Sequence, residues 1–453
     1  MHTLGKRLSS CLHYQHGFAL VFIITLCGSG CASYSYTFNA VENAMAESKP
    51  AEALIILDKI HDNKGVLYNL NKAILLRMQG KFSESNEAFE LSKKLIETYE
   101  AVSVTEQTGS FVVNDTTRTY IGEDYEQILL HFYESLNYLE LDDRYAARVE
   151  ALQADLKLNQ LARDKTKGFY TEDAFVRYFS GILYEELGEW SNAMIAYRKA
   201  YKTYLKQRTQ YFVPIPESLK YALLRLAERE GLTDELKQYQ NEFSIEEWSS
   251  VNNGLEKGEF IYVLNSGLAP MKKEKALQVI APSSGQFIRI SAPYYQVRDD
   301  NVAKVIIHAS NESRDQAWQT IADLVENVDA IALETLAAQM PAITARAVAR
   351  AVVKYNVNKQ VQKQNDALGI FMNLVTAFTE RADTRSWLTL PKNIYLARIA
   401  LVPGNYSIRV ELLNAQNALV ETYEYHDIAI KAQKNHYVSQ HRISTLSSNR
   451  GGT

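Results

Sequence analysis

The sequence predicts an α-rich, multi-domain chain: an α-solenoid of helical hairpins, then an α+β domain with a small antiparallel sheet or sandwich. Three observations lead there. Between residues 38 and 245, small and aromatic residues recur at helical spacing, with turn residues between the runs. From near Gly254 the pattern changes to short alternating apolar runs closed by Pro and Gly. The chain has 453 residues, 46% of them hydrophobic, enough for two or three domains with a sizeable core.

The clearest helical unit runs from Phe175 to Tyr204. Gly181 and Tyr184 share one helix, Gly188 and Trp190 make the turn, and Ala193, Tyr197 and Ala200 fall at i, i+4 and i+7 on the next. This unit resembles the tetratricopeptide repeat, in which small residues let two antiparallel helices approach and aromatics fill the gap. Leu70 to Ser92 repeats the pattern, with Gly80 and Phe82 in the turn and Ser85, Phe89 and Ser92 after it. Ala53, Leu57 and Ile60 keep the same spacing one repeat earlier. Ile128 to Leu156 reads as a hairpin without glycine, and Ser218 to Phe243 as a degenerate last pair. Residues 38–245 therefore read as four or five helical pairs. The polar stretch Val104 to Asp124 reads as a loop or hairpin breaking the array. Such solenoids offer a concave surface that usually binds polypeptide. Tyr178, Tyr184, Tyr197 and Tyr201, among 28 tyrosines, either line it or, as weighs more, pack between helices.

The second half is predicted over residues 255–435. Gly258 to Pro270, Gly285 to Tyr295 and Asn301 to Ser310 read as strands. An inserted helical block, 313–381, follows: a helix from Ser313 to about Val328, a second from Asp329 to Tyr355 with Pro341 as break or kink, and a third from Gln360 to Arg381. Strands return in Asn393 to Leu413, around Pro403-Gly404-Asn405, and in Ala418 to Ile430. Residues 436–453 read as a polar C-terminal tail. Glu334, Arg346 and Arg350 exclude a bilayer span in the second helix, and the apolar run Ala367 to Phe378 is too short for one.

The N-terminus reads as an export signal. Lys6 and Arg7 precede an apolar run, Gly17 to Cys27, and then come Gly28, Ser29, Gly30 and Cys31. This order predicts a bacterial lipoprotein signal over residues 1–30, cleaved between Gly30 and Cys31. The Cys31 thiol would carry diacylglycerol with palmitate-type acyl chains, on a tether over residues 31–37. Gly28 stands where such signals usually have Leu. Ala32, rather than Asp, after the cysteine points to the outer membrane, facing the periplasm, in a Gram-negative host. Cleavage would remove Cys11, Cys27, Lys6 and Arg7, taking the formal net charge from −4 to −6. No cysteine follows Cys31, so the mature chain would keep one cysteine with lipid on its sulfur, leaving no disulfide within the chain, no thiol catalysis and no cysteine metal site.

Ala382 to Pro391, ADTRSWLTLP, stands beside LLHFYESLNYLELDD, YEELGEWSNAMIAYRKAY and MPAITARAVARAVVKY. On these stretches the mature chain resembles an uncharacterised family of bacterial outer-membrane lipoproteins with tetratricopeptide-like repeats. Members are often encoded beside small lipoproteins that resemble penicillin-binding-protein activators, which implies a cell-envelope complex and assigns no catalytic residue. Asp383, Arg385 and Trp387 in the signature are expected to fix the turn into the next strand.

No HExxH, GxSxG or phosphate-cradling glycine loop occurs. His436 and His441 would face opposite sides of a strand and make a poor metal pair, and the adjacent acids Asp142/Asp143 and Asp299/Asp300 read as caps or loops. No cofactor or metal is expected. The slightly acidic balance gives no reason to expect nucleic acid. The reading is a lipid-anchored scaffold or adaptor, not an enzyme, whose helical repeats bind envelope proteins or another copy of the chain. The alternatives are an envelope enzyme acting on peptidoglycan or glycan, and a subunit of a membrane-attached secretion or ring assembly.

Overall fold

The structure is a computed structural model that describes residues 37–60, 65–113, 119–163, 170–248, 257–280, 287–311, 316–364 and 380–443. The signal segment with Gly30, Cys31 and the run 367–378 lie outside the described residues.

Among the described residues, five helical hairpins come first. They are α1 (Asn39–Ala46) with α2 (Pro50–Ile60), α3 (Val66–Arg77) with α4 (Phe82–Val113), α5 (Asp124–Glu140) with α6 (Arg144–Arg163), α7 (Ala174–Glu186) with α8 (Trp190–Tyr211), and α9 (Glu217–Arg229) with α10 (Thr233–Phe243). One device closes all five turns. Ser48, Gly80, Asp142, Gly188 and Gly231 take the left-handed conformation, with φ between 58° and 73°. The next residue donates its N–H back to a carbonyl of the last helical turn, as Glu189 does to Tyr184 and Asp143 to Tyr138, both at 2.8 Å. The third hairpin manages without glycine because Asp tolerates this conformation. Helix α4 continues through residues 104–113, so the expected loop there is in part helix. Glu123 and Glu126 then start α5 with a capping box.

Among the described residues, ten strands and one long helix, α11 (Val328–Gln364), follow. The strands are β1 (Gly258–Ser266), β2 (Met271–Ile280), β3 (Phe287–Gln296), β4 (Lys304–Asn311), β5 (Gln316–Ile321), β6 (Asp323–Asn327), β7 (Asn393–Leu401), β8 (Gly404–Leu413), β9 (Leu419–Ile430) and β10 (Asn435–Arg442). One sheet has the order β10-β1-β7-β6 and is mixed, because β10 lies parallel to β1. The other, β5-β4-β8-β9, is antiparallel, and β2–β3 is a separate hairpin along which α11 packs. Three expectations change. Residues 316–327, expected within a helix, instead supply β5 and β6, where the half-buried Trp318 packs on Tyr406 with ring centroids 5.5 Å apart. Helix α11 runs on through Pro341. Residues 436–442, expected as the start of a polar tail, lie in β10, a strand of the principal sheet.

The layers stack as solenoid, mixed sheet, antiparallel sheet. Strand alternation splits the mixed sheet. Ile261, Val263, Ile394, Leu396 and Tyr437 join the tyrosine-rich core of the helices. Phe260, Tyr262, Leu264, Tyr395 and Ala397 face Val305, Ile307, Ile408 and Val410 of the second sheet. The chain is a tetratricopeptide-like α-solenoid carrying an α+β domain inside its curve.

Gly181 sits where a Cβ would drive into the Tyr197 ring. A Gly181→Ala chain is therefore expected to lose about 1–3 kcal/mol through overpacking, read as a lower midpoint in urea unfolding.

Candidate functional site

The concave face of the solenoid, where a peptide ligand was expected, is covered by the chain's own mixed sheet. Strand β10 brings its outer edge against the helix ends. Glu186 accepts from the Asn435 backbone N–H at 3.0 Å and from the Tyr437 hydroxyl at 2.8 Å. Glu140 accepts from the Ser439 backbone N–H at 3.2 Å and from its hydroxyl at 2.6 Å. These glutamates occupy the same place in successive repeats, two residues before the left-handed Gly188 and Asp142. Edge amides that would otherwise invite another strand are thus taken by carboxylates. Arg144 completes the edge, donating to the Asn435 carbonyl at 3.1 Å and to Glu186 at 2.5 Å.

Further along the seam, Arg398 of β7 reaches into the helices. It donates to Tyr197 Oη at 3.1 Å, to Glu185 at 3.0 Å and to Glu259 at 2.6 Å. Burial would raise Glu185, but Arg225 and Arg398 outweigh it and hold the carboxyl at about 2. Asp323 of β6 caps α9, accepting from the Glu217 and Ser218 backbone N–H groups at 3.1 and 3.2 Å. Tyr204 donates to the Val325 carbonyl at 2.9 Å, and Tyr133 to Asn265 at 2.8 Å. Near the other end, His441 stacks on Tyr133. Burial, then the nearby Arg77 guanidinium, push its pKa down to about 3.

The signature residues lie on the same seam. Asp383 accepts from the Arg385 backbone N–H at 3.0 Å and from its guanidinium at 2.7 Å. Arg385 covers the Tyr120 ring at 5.3 Å. Trp387 is buried, its backbone N–H bonded to Glu126 at 2.7 Å and its indole to Thr389 at 2.9 Å. Burial and the Glu123 carboxylate push Glu126 up to about 7.

The repeat residues do not form a groove. Tyr178, Tyr184, Tyr197 and Tyr201 are all buried, as are Ala193 and Ala200. Tyr184 stacks under Arg148 at 5.4 Å, and Trp190 under Arg229 at 3.8 Å. Glu140, Glu185, Glu186, Asp323 and Arg398 were not singled out from the sequence. The repeated offset of Glu140 and Glu186 from the turn residue was the available signal.

Three clusters bear on chemistry. Glu90, Glu134 and Glu150 gather between α4, α5 and α6, but Lys93 Nζ lies 2.8 Å from Glu90 and Glu134 and 3.1 Å from Glu150. Its ammonium takes the place a cation would need. Asp173 and Glu326 approach through the Tyr170 hydroxyl, at 2.9 and 3.4 Å, beside a cavity of about 10 Å³, room for one water at most. A larger hollow of about 540 Å³ lies open on the outer face of the antiparallel sheet, lined by His308, Gln319, Arg409, Glu424 and His426. No described helix is long and apolar enough to cross a membrane.

No family model and no curated protein matches the chain. Among solved structures it is similar to MamA, at 15% identity over 44% of this chain and 90% of that one, with a TM-score of 0.28. A MamA fragment (41-end) from Desulfovibrio magneticus RS-1 gives 13% identity over 46% and 90%, TM-score 0.28. BtubC (BKLC) from P. vanneervenii gives 13% over 45% and 76%, TM-score 0.27. Similarity this loose assigns no role.

Two outcomes follow from the seam. Arg398→Ala leaves Glu185 and Glu259 without this buried partner and is expected to cost about 3–5 kcal/mol, measured by urea unfolding at pH 7. His441 is neutral in the fold well below the pH at which an unfolded histidine takes a proton. Its contribution is complete above about pH 6.5 and is lost as pH falls towards about 3. His441→Phe keeps the stacking and removes the titration. It is expected to spare the chain about 2 kcal/mol of the stability lost between pH 7 and pH 5, measured as the difference between the two unfolding curves.

Proposed function

We propose that this chain is a lipid-anchored scaffold of a bacterial cell envelope that presents its outer faces to protein partners. The observation that carries this reading is the closed concave face. The two halves form one packed body, and a peptide cannot enter the groove without displacing β1, β7 and β10. Partner binding therefore moves outward. One exposed apolar run lies on α11, where Val348, Val352 and Val357 point to solvent beside the β2–β3 hairpin. The export signal and Cys31 support placement at the outer membrane, facing the periplasm, and lipid there would raise the effective concentration of the scaffold near envelope proteins.

The test is affinity capture from membranes with the tagged chain. The unaltered chain is expected in the membrane fraction with a specific protein partner. Cys31→Ser is expected to release it and to change its electrophoretic mobility. Val348→Asp with Val352→Asp is expected to keep the chain on the membrane and lose the partner. Membrane association and mobility unchanged by Cys31→Ser would overturn the anchor. No specific partner with any form would overturn the scaffold.

A further inference from the structure

We propose that the chain pairs with a second copy of itself through the outer face of α6, the two α6 helices running parallel about a two-fold axis along their length. Helix α6 is the middle of three neighbouring outer helices. Lys93 and Glu100 of α4 reach Glu150 and Lys157 of α6, each at 3.1 Å. Lys199 of α8 reaches Asp155 of α6 at 3.3 Å.

The solvent face of α6 is apolar. Tyr145 is 74% exposed, Val149 48%, Leu152 39% and Leu156 53%. They follow one another at steps of four, three and four residues, the spacing of a heptad seam. Gln153 and Gln160 are the other exposed residues from Tyr145 to Gln160, and the half-buried Arg148 and Asp155 that border the stripe are held in ion pairs with Glu189 and with Arg177 and Lys199. An exposed helix of an ordinary surface carries charges there.

The flanking helices are opposite in charge. The exposed positions of α4 include Glu84, Glu87, Glu90 and Glu97 against Lys94. Helix α8 contains no acid from Trp190 to Tyr211, and its exposed positions include Lys202, Lys206 and Arg208. This asymmetry selects the occupant and its orientation. A two-fold axis lying across the helices would set α4 on α4 and α8 on α8, acid on acid and base on base. An axis along α6 sets the acidic α4 of one copy over the basic α8 of the other, twice. It also holds the two stripes parallel and in register, as a heptad seam favours. Counted from the left-handed turn residues Gly80 and Gly188, Glu97 and Lys206 stand at nearly the same height. Leu91 and Ile195, both exposed, widen the patch on either side. Two convex faces meet over a small area, so the pair is weak and exchanges with monomer.

The test uses the full exported chain, residues 31–453, carrying Cys31→Ser so that lipid plays no part. Sedimentation velocity is expected to show dimer near about 100 μM and monomer near about 1 μM, as a small interface allows. Leu152→Asp is expected to leave monomer only, with an unchanged thermal midpoint. Glu97→Lys and Lys206→Glu are each expected to weaken pairing roughly tenfold, because each reversal acts twice across the axis. The two together in one chain are expected to restore it. Tyr145→Cys and Leu156→Cys, in a chain with no other cysteine, are each expected to form a self-linked dimer on mild oxidation. Linkage only between a Tyr145→Cys chain and a Leu156→Cys chain would overturn the parallel arrangement. Monomer at every concentration would overturn the pairing and leave the scaffold reading, measured from membranes, standing.

Discussion

The structure depends on where the last strand goes. Strand β10 lies parallel to β1, the first strand of its domain, and turns its other edge to the helix ends of two successive repeats. A solenoid repeat contacts only its neighbours, and its curvature is set by small rotations that add up along the array. Here Glu140 and Glu186 both bond one rigid strand, at Ser439 and Asn435. The rotation between those two repeats is therefore matched to the spacing of strand amides four residues apart. A flexible array is held to one curvature by a sheet it encloses.

The seam is polar in a way that sets register. Apolar contact alone, Ile261 and Leu396 against the tyrosine layer, would tolerate sliding. Arg398 between Glu185, Glu259 and Tyr197, and Asp323 on the end of α9, do not. A one-residue slip would strand buried charge without a partner, which costs more than the pairing gains. The arginine's net contribution to stability is modest by the same reasoning. Its main effect is that one docking of sheet on helices is much better than its neighbours.

Much of this was legible in the residues. Gly181 facing Tyr197, and the Gly188 turn before Trp190, follow from the need for two helices to approach and then reverse. The third hairpin was also readable, although its turn residue is Asp142. What escaped did so for physical reasons. Residues 316–327 hold Ala, Gln, Leu and Glu, good helix formers, yet pair as β5 and β6 because Trp318 has a place against Tyr406, and packing overrides propensity. Residues 435–442 lack an apolar face because one side of β10 meets carboxylates and a tyrosine ring, so the strand reads as tail. The burial of Tyr178 and Tyr197 was the weightier expectation. What covers them was not readable, since nothing in a repeat says which surface will fill its groove.

That last point decides which surfaces are left free by the fold. In a free solenoid the inner helices carry the binding residues and the outer helices are solvated support. Once a sheet of the same chain fills the curve, the inner helices are taken up by the fold, and among the described residues the outer helices, the α11 arm and the outer face of the antiparallel sheet keep surface to offer. Surfaces used for support alone should then be charged and mixed. Helix α4 exposes four glutamates against Lys94, α8 exposes bases and contains no acid, and α6 between them bares four apolar side chains. Opposite charge on either side of an apolar line is a pattern that a two-fold copy of itself satisfies, because rotation about that line exchanges the two signs.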